Sequence, residues 1–197
     1  MTLEEYRQKR NFKKSPEPQG KAANDAGKLI FVVQRHKASR LHYDFRLEME
    51  GVLKSWAIPK GPSLNPADKR LAMMVEDHPY DYKDFQGLIP AGNYGAGIVE
   101  IWDQGNYTAS ENSGKDAEKQ LVKALKAGHL KITLRGNKLK GEFALVKLKA
   151  KKDNAWLLIK HKDKYAVPDD YDSEADTPKD SPINKWLSAN SQDKKKS

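Results

Sequence analysis

The chain has 197 residues, of which 38% are hydrophobic and 32% charged, and its formal net charge is +9. That composition suits one globular domain of ordinary size, with a real core and room for polar tails. The absence of cysteine excludes disulfides and thiolate ligands, and no apolar run approaches the length of a membrane span.

The first residues, Met1-Thr2-Leu3-Glu4-Glu5, are acidic where a signal peptide would be basic, so a cytoplasmic location with no membrane partner is expected. Residues 1–27 read as a short helical start and a flexible arm, because Pro16, Pro18 and Gly20 break regular structure. From residue 29 strands dominate: 29–34, then 39–49, then 52–58 after a turn at Glu50-Gly51. Residues 71–75 and 98–102 are further short strands, separated by a glycine-rich loop over 87–97. Residues 115–127 form the one clear helix, with Ala117, Leu121, Ala124 and Leu125 as its apolar stripe and Gly128 as its stop. Strands at 130–134, 142–148 and 156–160 follow, and beyond Val167 a composition of Pro, Asp, Ser and Lys predicts a loose tail that includes Lys194-Lys195-Lys196. Together these elements predict a mainly β fold, an antiparallel β-barrel with one flanking helix and flexible termini. The expected organisation is an arm over 1–27, the barrel domain over 28–166 and the tail over 167–197.

The excess charge is concentrated. Residues 115–164 carry fifteen basic and five acidic residues, whereas residues 28–114 carry ten and eleven. Concentration in one block favours a polyanion-binding face over simple solvation, and Lys131, Thr133 and Arg135 alternate with apolar neighbours to give that block a one-sided basic strand.

The segment 34–48 is the most informative. Leu41, Tyr43, Phe45, Leu47 and Met49 fall on one side of a strand, and His42, Asp44, Arg46 and Glu48 on the other. Residues two apart on one face lie roughly 6.5–7 Å apart at Cα, so two side chains can converge on one ion. With His36 just upstream, the segment offers two imidazoles and a carboxylate for Mn, Fe or Zn, and Arg46 could hold an oxyanion beside that ion. The same alternation also suits a half-exposed strand whose polar face is merely solvated. His78, in Glu76-Asp77-His78-Pro79, joins the site only if it faces the same cavity as His42. The loop 87–97 lacks the Gly-Lys-Ser/Thr ending of a phosphate-binding P-loop and reads as a tight connection. His129 and His161 read as surface residues, and Trp56, Trp102 and Trp156 as core rather than base-stacking platforms.

Longer words carry a resemblance. Lys9-Arg10-Asn11-Phe12 with Pro16-Glu17-Pro18, the run from Phe31 to Leu47, Leu53 through Pro62, Glu76-Asp77-His78-Pro79 with Tyr82, the loop from Ile89 to Gly97, and Ile101-Trp102-Asp103 are together similar to the 3′-phosphoesterase domain of bacterial DNA ligase D and its stand-alone bacterial and archaeal relatives. The resemblance covers roughly residues 3–165. It implies a manganese-dependent end-healing enzyme, which removes a 3′-terminal ribonucleoside and then the remaining 3′-phosphate to leave a 3′-hydroxyl. It also implies His36, His42 and Asp44 as metal ligands, with other divalent transition metals as substitutes, and Arg46 and His78 as the residues that hold the scissile phosphate. Glu76, Arg10, Glu17, Asn11, Lys60, Arg70 and Tyr82 match further positions tied to activity, the last three as substrate-binding residues. Asn11 stands where the family often has Asp, and an amide can keep a hydrogen bond there but cannot act as a base. His78 could bind the oxyanion as a cation or protonate the leaving oxygen. The implied partners are 3′ ends of DNA or RNA-tipped DNA at primer–templates, together with a DNA ligase, a polymerase or a Ku-type end-binding protein.

Two other readings share these residues. Two histidines and a carboxylate are also the ligand set of non-haem iron oxygenases, and a non-catalytic nucleic-acid-binding barrel could use the same row to contact phosphates. A ligase is disfavoured, because no Lys-x-Asp-Gly nucleotidyl motif is present.

Overall fold

The computed structural model describes residues 2–20, 29–109, 116–149 and 154–193. Nine strands run in the order β1-β2-β3-β4-β9-β8-β7-β6-β5, and a further β1–β6 pairing closes eight of them into an antiparallel barrel with β5 added outside. The strands are β1 (Ile30–Lys37), β2 (Leu41–Met49), β3 (Val52–Ile58), β4 (Lys69–Pro79), β5 (Gly87–Ile89), β6 (Gly97–Ala109), β7 (His129–Gly136), β8 (Lys140–Lys147) and β9 (Ala155–Lys160). Closure removes every edge but the short β5, which is how an all-antiparallel sheet avoids unpaired backbone. Residues of all eight barrel strands, among them Phe31, Phe45, Trp56, Ala72, Trp102, Ile132, Phe143 and Trp156, form one buried interior cluster. Trp56, Trp102 and Trp156 are therefore core, as their strands predict. Among the described residues, no helix is long and apolar enough to cross a membrane.

The β2–β3 hairpin is set by its turn. Glu50 (φ 54°) and Gly51 (φ 77°) both adopt the left-handed region, as a two-residue primed turn requires, with Met49 paired to Val52. The strands extend beyond the apolar runs that announce them, β6 by seven residues past Trp102 and β4 by four past Val75. Ladder hydrogen bonding recruits polar neighbours that no hydrophobic pattern marks.

Both mouths of the barrel are covered. Helix α2 (Ala117–Ala127) buries Leu121 against the core, and its Glu118 accepts a hydrogen bond from the Glu50 amide beyond the end of β2. Gly128 (φ 79°) stops it in the left-handed conformation, while Lys115, the expected first residue, lies outside the described residues. The opposite mouth departs from expectation. Residues 167–181 are not a loose tail but a strap, followed by α3 (Pro182–Asp193). Glu174 accepts from Arg35 Nε at 2.9 Å and also from Tyr43, Thr177 accepts from Trp102 Nε1 at 3.1 Å, and Ile183 is fully buried. Composition misleads here because the strap is anchored by polar groups that meet buried polar partners inside the barrel. Lys194, Lys195 and Lys196 lie outside the described residues.

The N-terminal arm also packs. Helix α1 (Leu3–Gln8) starts with a capping box between Thr2 and Glu5, and Tyr6, fully buried, joins Leu53, Tyr82, Phe85, Ile89 and Val99 in a second apolar cluster on the outside of the barrel wall. A 3₁₀ turn at Tyr80–Asp84 supplies Tyr82. Residues 21–27, the rest of the expected arm, lie outside those described.

Candidate metal and phosphate site

The outward face of β2 is not solvated. The arm, the 3₁₀ turn and the loop before β6 roof it, so Asp44 and Arg46 are buried and His42 is half-buried. Under that roof lies a pocket of about 210 Å³, lined by His36, His42, Asp44 and Arg46 and also by Arg10, Glu17, Glu76, His78, Tyr82 and Tyr94.

His36 and His42 are direct partners across β1 and β2, and each is oriented by a carbonyl. His36 Nε2 lies 2.9 Å from Gly95 O, and His42 Nδ1 lies 3.1 Å from Arg40 O. A carbonyl can only accept, so those nitrogens carry the protons. The other ring nitrogens, His36 Nδ1 and His42 Nε2, face Asp44, 3.5 Å from Oδ2 and 3.7 Å from Oδ1. One donor atom from each of the three residues lies within 4.8 Å of the others. Donors about 2.1 Å from a common ion would stand roughly 3–3.5 Å apart, so small side-chain movements suffice to close this set on a transition metal. Burial works against ionisation of Asp44, but Arg46 and the two imidazoles outweigh it and hold the carboxyl well below the usual carboxylate range. An ionised carboxylate with two carbonyl-oriented imidazoles, each turning a second ring nitrogen inward, fits a divalent transition metal.

Arg46 is held on three sides. Its Nε donates to Gln34 Oε1 at 2.6 Å, Nη1 to Ser55 Oγ at 2.9 Å and Nη2 to Asp44 Oδ2 at 3.1 Å, and its guanidinium lies 4.8 Å over the Tyr82 ring. Three of its five N–H groups are thus used, and one on each terminal nitrogen remains for an anion beside the metal donors. Gln34 in turn is fixed by the carbonyls of Tyr82 and Phe85. Sequence reasoning passed over Gln34 and Ser55. Their signal was strand phase, since both lie directly across from this face, Gln34 opposite Asp44 and Ser55 opposite Arg46.

A β-bulge brings in Glu76 and His78. Ala72 and Met74 pack toward the core, so unbroken alternation would point Val75 and Asp77 outward. The β3–β4 register shifts between Leu53 and Ser55, inserting one extra residue on β4, and Val75, Glu76 and His78 all line the pocket. His78 Nδ1 lies 2.9 Å from Glu76 O and Nε2 lies 3.2 Å from Arg10 Nη2. The carbonyl can only accept and the guanidinium only donate, so His78 is neutral here, with its proton on Nδ1. Burial first, then Arg46 and Arg10, push its pKa well below the ordinary value.

Arg10 is the arm's contribution. It donates to Glu17 Oε1 at 2.8 Å, to Glu76 Oε1 at 3.0 Å and to Tyr6 O at 3.2 Å. Glu17 also accepts from Tyr82 Oη at 3.0 Å and Ser15 Oγ at 2.8 Å. Lys9, another residue that sequence reasoning did not single out, pairs with Glu76 Oε2 at 3.0 Å. Burial opposes the charge of Glu76, but hydrogen bonds from its own amide, Arg10 and Lys9 keep its pKa below the ordinary value.

Three expected residues do not enter the pocket. Asn11 is exposed, and its Oδ1 caps the Lys13 amide at 3.1 Å. Lys60 is exposed beyond β3, and Arg70 is tied to Asp68 Oδ2 at 2.7 Å and Tyr171 O at 2.8 Å, where it anchors the strap. The basic block is also remote. In the barrel order β8 stands opposite β2, so Lys131, Arg135 and Lys140 occupy the far wall. A strand held there would not lie over the pocket.

A profile of the DNA ligase D 3′-phosphoesterase domain matches residues 34–147, a span that holds every pocket residue except those of the arm. The chain is 50% identical over 164 residues, 82% of its length, to the multifunctional non-homologous end joining protein LigD of Pseudomonas aeruginosa. It is 42% identical over 178 residues, 86% of its length, to the protein of the same name from Mycolicibacterium smegmatis. The chain spans about a fifth of these relatives, 19% and 22% of their lengths. With this profile over more than half of the chain and these relatives over most of its length, the chain belongs to the DNA ligase D 3′-phosphoesterase domain family.

Proposed function

We propose that this chain is a manganese-dependent phosphoesterase that heals 3′ ends of DNA, removing a terminal ribonucleoside and then the 3′-phosphate to leave a 3′-hydroxyl. The observation that carries the reading is Arg46 Nη2, 3.1 Å from the carboxylate that would also ligate the metal. A guanidinium with free N–H groups beside the donor atoms serves an anionic substrate, and a phosphoryl group is the anion this family's description implies. That favours phosphoester chemistry over an oxygenase.

His36, His42 and Asp44 would hold the ion. When bound, it supplies Lewis-acid polarisation of a phosphoryl oxygen. Arg46 binds the non-bridging oxygens and stabilises the charge that grows on them as the ester bond breaks. Arg10, locked by Glu17 and Glu76, adds a second cation and holds His78 by its Nε2. The negative charge of an arriving phosphoester offsets the positive field of Arg46 and Arg10, so His78 can exchange its contact with Arg10 for a proton on Nε2 and pass that proton to the leaving oxygen. Tyr6, Tyr82 and the arm roof the site, and the pocket mouth admits the water whose oxygen replaces the leaving oxygen on phosphorus and whose proton returns to solvent. The relatives' names place them in non-homologous end joining, and we assign this chain the same setting, with primer–template 3′ ends as substrate and a ligase, polymerase or Ku-type end-binding protein as partner.

The test is a labelled primer–template ending in one ribonucleotide, incubated with the protein with and without Mn²⁺. The expected course is loss of the ribonucleoside, appearance of a 3′-phosphate and then of a 3′-hydroxyl, all abolished by chelator. No metal-dependent change at the 3′ end would overturn the reading.

A further inference from the structure

Tyr94 is a large aromatic residue that the barrel does not use. Of the exposed large hydrophobic residues among those described, Leu71, Leu88, Tyr94 and Tyr165, only Tyr94 lines the pocket, and it is 50% exposed. Its loop is firmly seated. A side chain at Gly97 (φ 148°) would fall 2.2 Å from Lys37 O, so only glycine lets the loop sit this close to the end of β1. Ala96 N donates to Asn93 O at 3.1 Å, and Asn93 Nδ2 donates to Pro90 O at 3.0 Å. The next residue, Gly95, supplies the carbonyl that orients His36. Lys9 Nζ and Arg10 Cζ stand 5.1 Å and 5.5 Å from the Tyr94 ring centre. A rigid loop thus presents a half-open ring at the mouth of the anion pocket, with two cations beside it.

We infer that Tyr94 is the platform on which the terminal nucleobase of a 3′ end stacks while its phosphate lies at Arg46 and the metal donors. The inference rests on the end-healing reading and deepens it by specifying what the enzyme reads besides phosphate. An aromatic face beside basic groups is how proteins hold single-stranded ends without sequence preference, because every base offers a π-face. The competing role for the ring is intramolecular, as a cover for Arg10 and Lys9. That role makes no reference to the base, and the difference can be measured.

The experiment pairs two DNA ends with three proteins. One end carries a 3′-phosphate on an ordinary nucleotide, the other the same phosphate on a tetrahydrofuran abasic analogue. The wild type, Tyr94→Ala and Tyr94→Phe are compared for Mn²⁺-dependent phosphate release. Binding is followed separately by quenching of 2-aminopurine at the terminal position. We expect the wild type to favour the base-bearing end in KM on the order of 10-fold, Tyr94→Ala to lose that preference with little change on the abasic end, and Tyr94→Phe to keep it. Quenching should accompany binding to the wild type and Tyr94→Phe but not Tyr94→Ala. Equal losses for Tyr94→Ala on both ends, or no loss on either, would overturn the inference in favour of a ring that only covers Arg10. Absence of phosphate release by the wild type would count against the end-healing reading alone, since the quenching arm still reports whether the base stacks.

Discussion

His36 and His42 face one another across the β1–β2 pair with ring centres 4.7 Å apart, and carbonyls from two different loops turn their remaining ring nitrogens inward. The two rings thereby expose different atoms, Nδ1 of one and Nε2 of the other. Asp44, two residues beyond His42 on the same face, completes the set. Holding these groups in one place costs side-chain entropy, which the surrounding hydrogen bonds offset before any ion arrives.

His42 is the ligand whose removal separates metal binding from folding. Its side chain is 23% exposed, and outside the cluster it hydrogen-bonds to Arg40 O. His42→Ala should therefore change stability by no more than about 1 kcal/mol, while Mn²⁺ affinity falls by at least an order of magnitude. Electron paramagnetic resonance titration of free Mn²⁺ reads the affinity and thermal melting the stability. Unchanged Mn²⁺ binding in the variant would remove this residue from the metal site.

Glu48 shares its strand face with Asp44 and Arg46 but lies outside the pocket. It is 2% exposed, and its Oε2 has no hydrogen-bond partner. Burial, with Glu118 adding to it, raises its pKa despite the Gly51 amide. A raised carboxyl pKa means that the folded state holds the proton more tightly than the unfolded chain. This contribution to stability is complete below the unfolded value of about 4.3 and is lost as pH rises through the folded value. Glu48→Gln should raise the melting temperature at pH 7 and lose its advantage below about pH 4. A variant less stable than the wild type at pH 7 would show that the charge has a use.

Glu174 clamps the back of the metal hairpin. It binds Arg35 and Tyr43, paired with each other one residue away from His36 and His42. Arg35 keeps Glu100 and Asn184, so Glu174→Ala should cost about 1–2 kcal/mol rather than the full penalty of a stranded buried charge. In a chain of this length that is a fall of roughly 2–8 °C in Tm. A chain ending at residue 166, the boundary that composition suggests, also loses Ile183 and the Thr177–Trp102 bond, and should fail to fold cooperatively. A sharp, unshifted melt for that truncation would show the strap to be dispensable.

Salt dependence distinguishes the two basic regions. If the 3′ end lies in the pocket, neutralising Lys9 should flatten the slope of log affinity against log salt by about 0.7, the value of one single-strand phosphate contact. Neutralising Lys131 and Arg135 on the far wall should leave the slope unchanged for an oligonucleotide of a few residues. A flattened slope from the far-wall pair on such a short ligand would mean that the strand wraps the barrel.

The alternation from Leu41 to Met49, the primed turn at Glu50-Gly51 and the short apolar runs were enough to call for an antiparallel barrel. The same alternation placed His42, Asp44 and Arg46 on one face. These features are local, because strand periodicity and turn chemistry depend on residues a few positions apart, and the sequence by itself determined them. Whether that face met water could not be read from it. Alternation reports which residues differ in polarity, and a buried polar face covered by an arm has the same pattern as a solvated one. Only tertiary structure put Tyr6, Arg10 and Glu17 over the site, moved Glu76 and His78 into it through a bulge, and sent the basic block to the opposite wall. It also turned a polar C-terminal segment into a strap, because Glu174 and Thr177 find partners 139 and 75 residues away, respectively. Those outcomes depend on barrel closure and on long-range pairing of buried charges, and neither leaves a periodic trace along the chain.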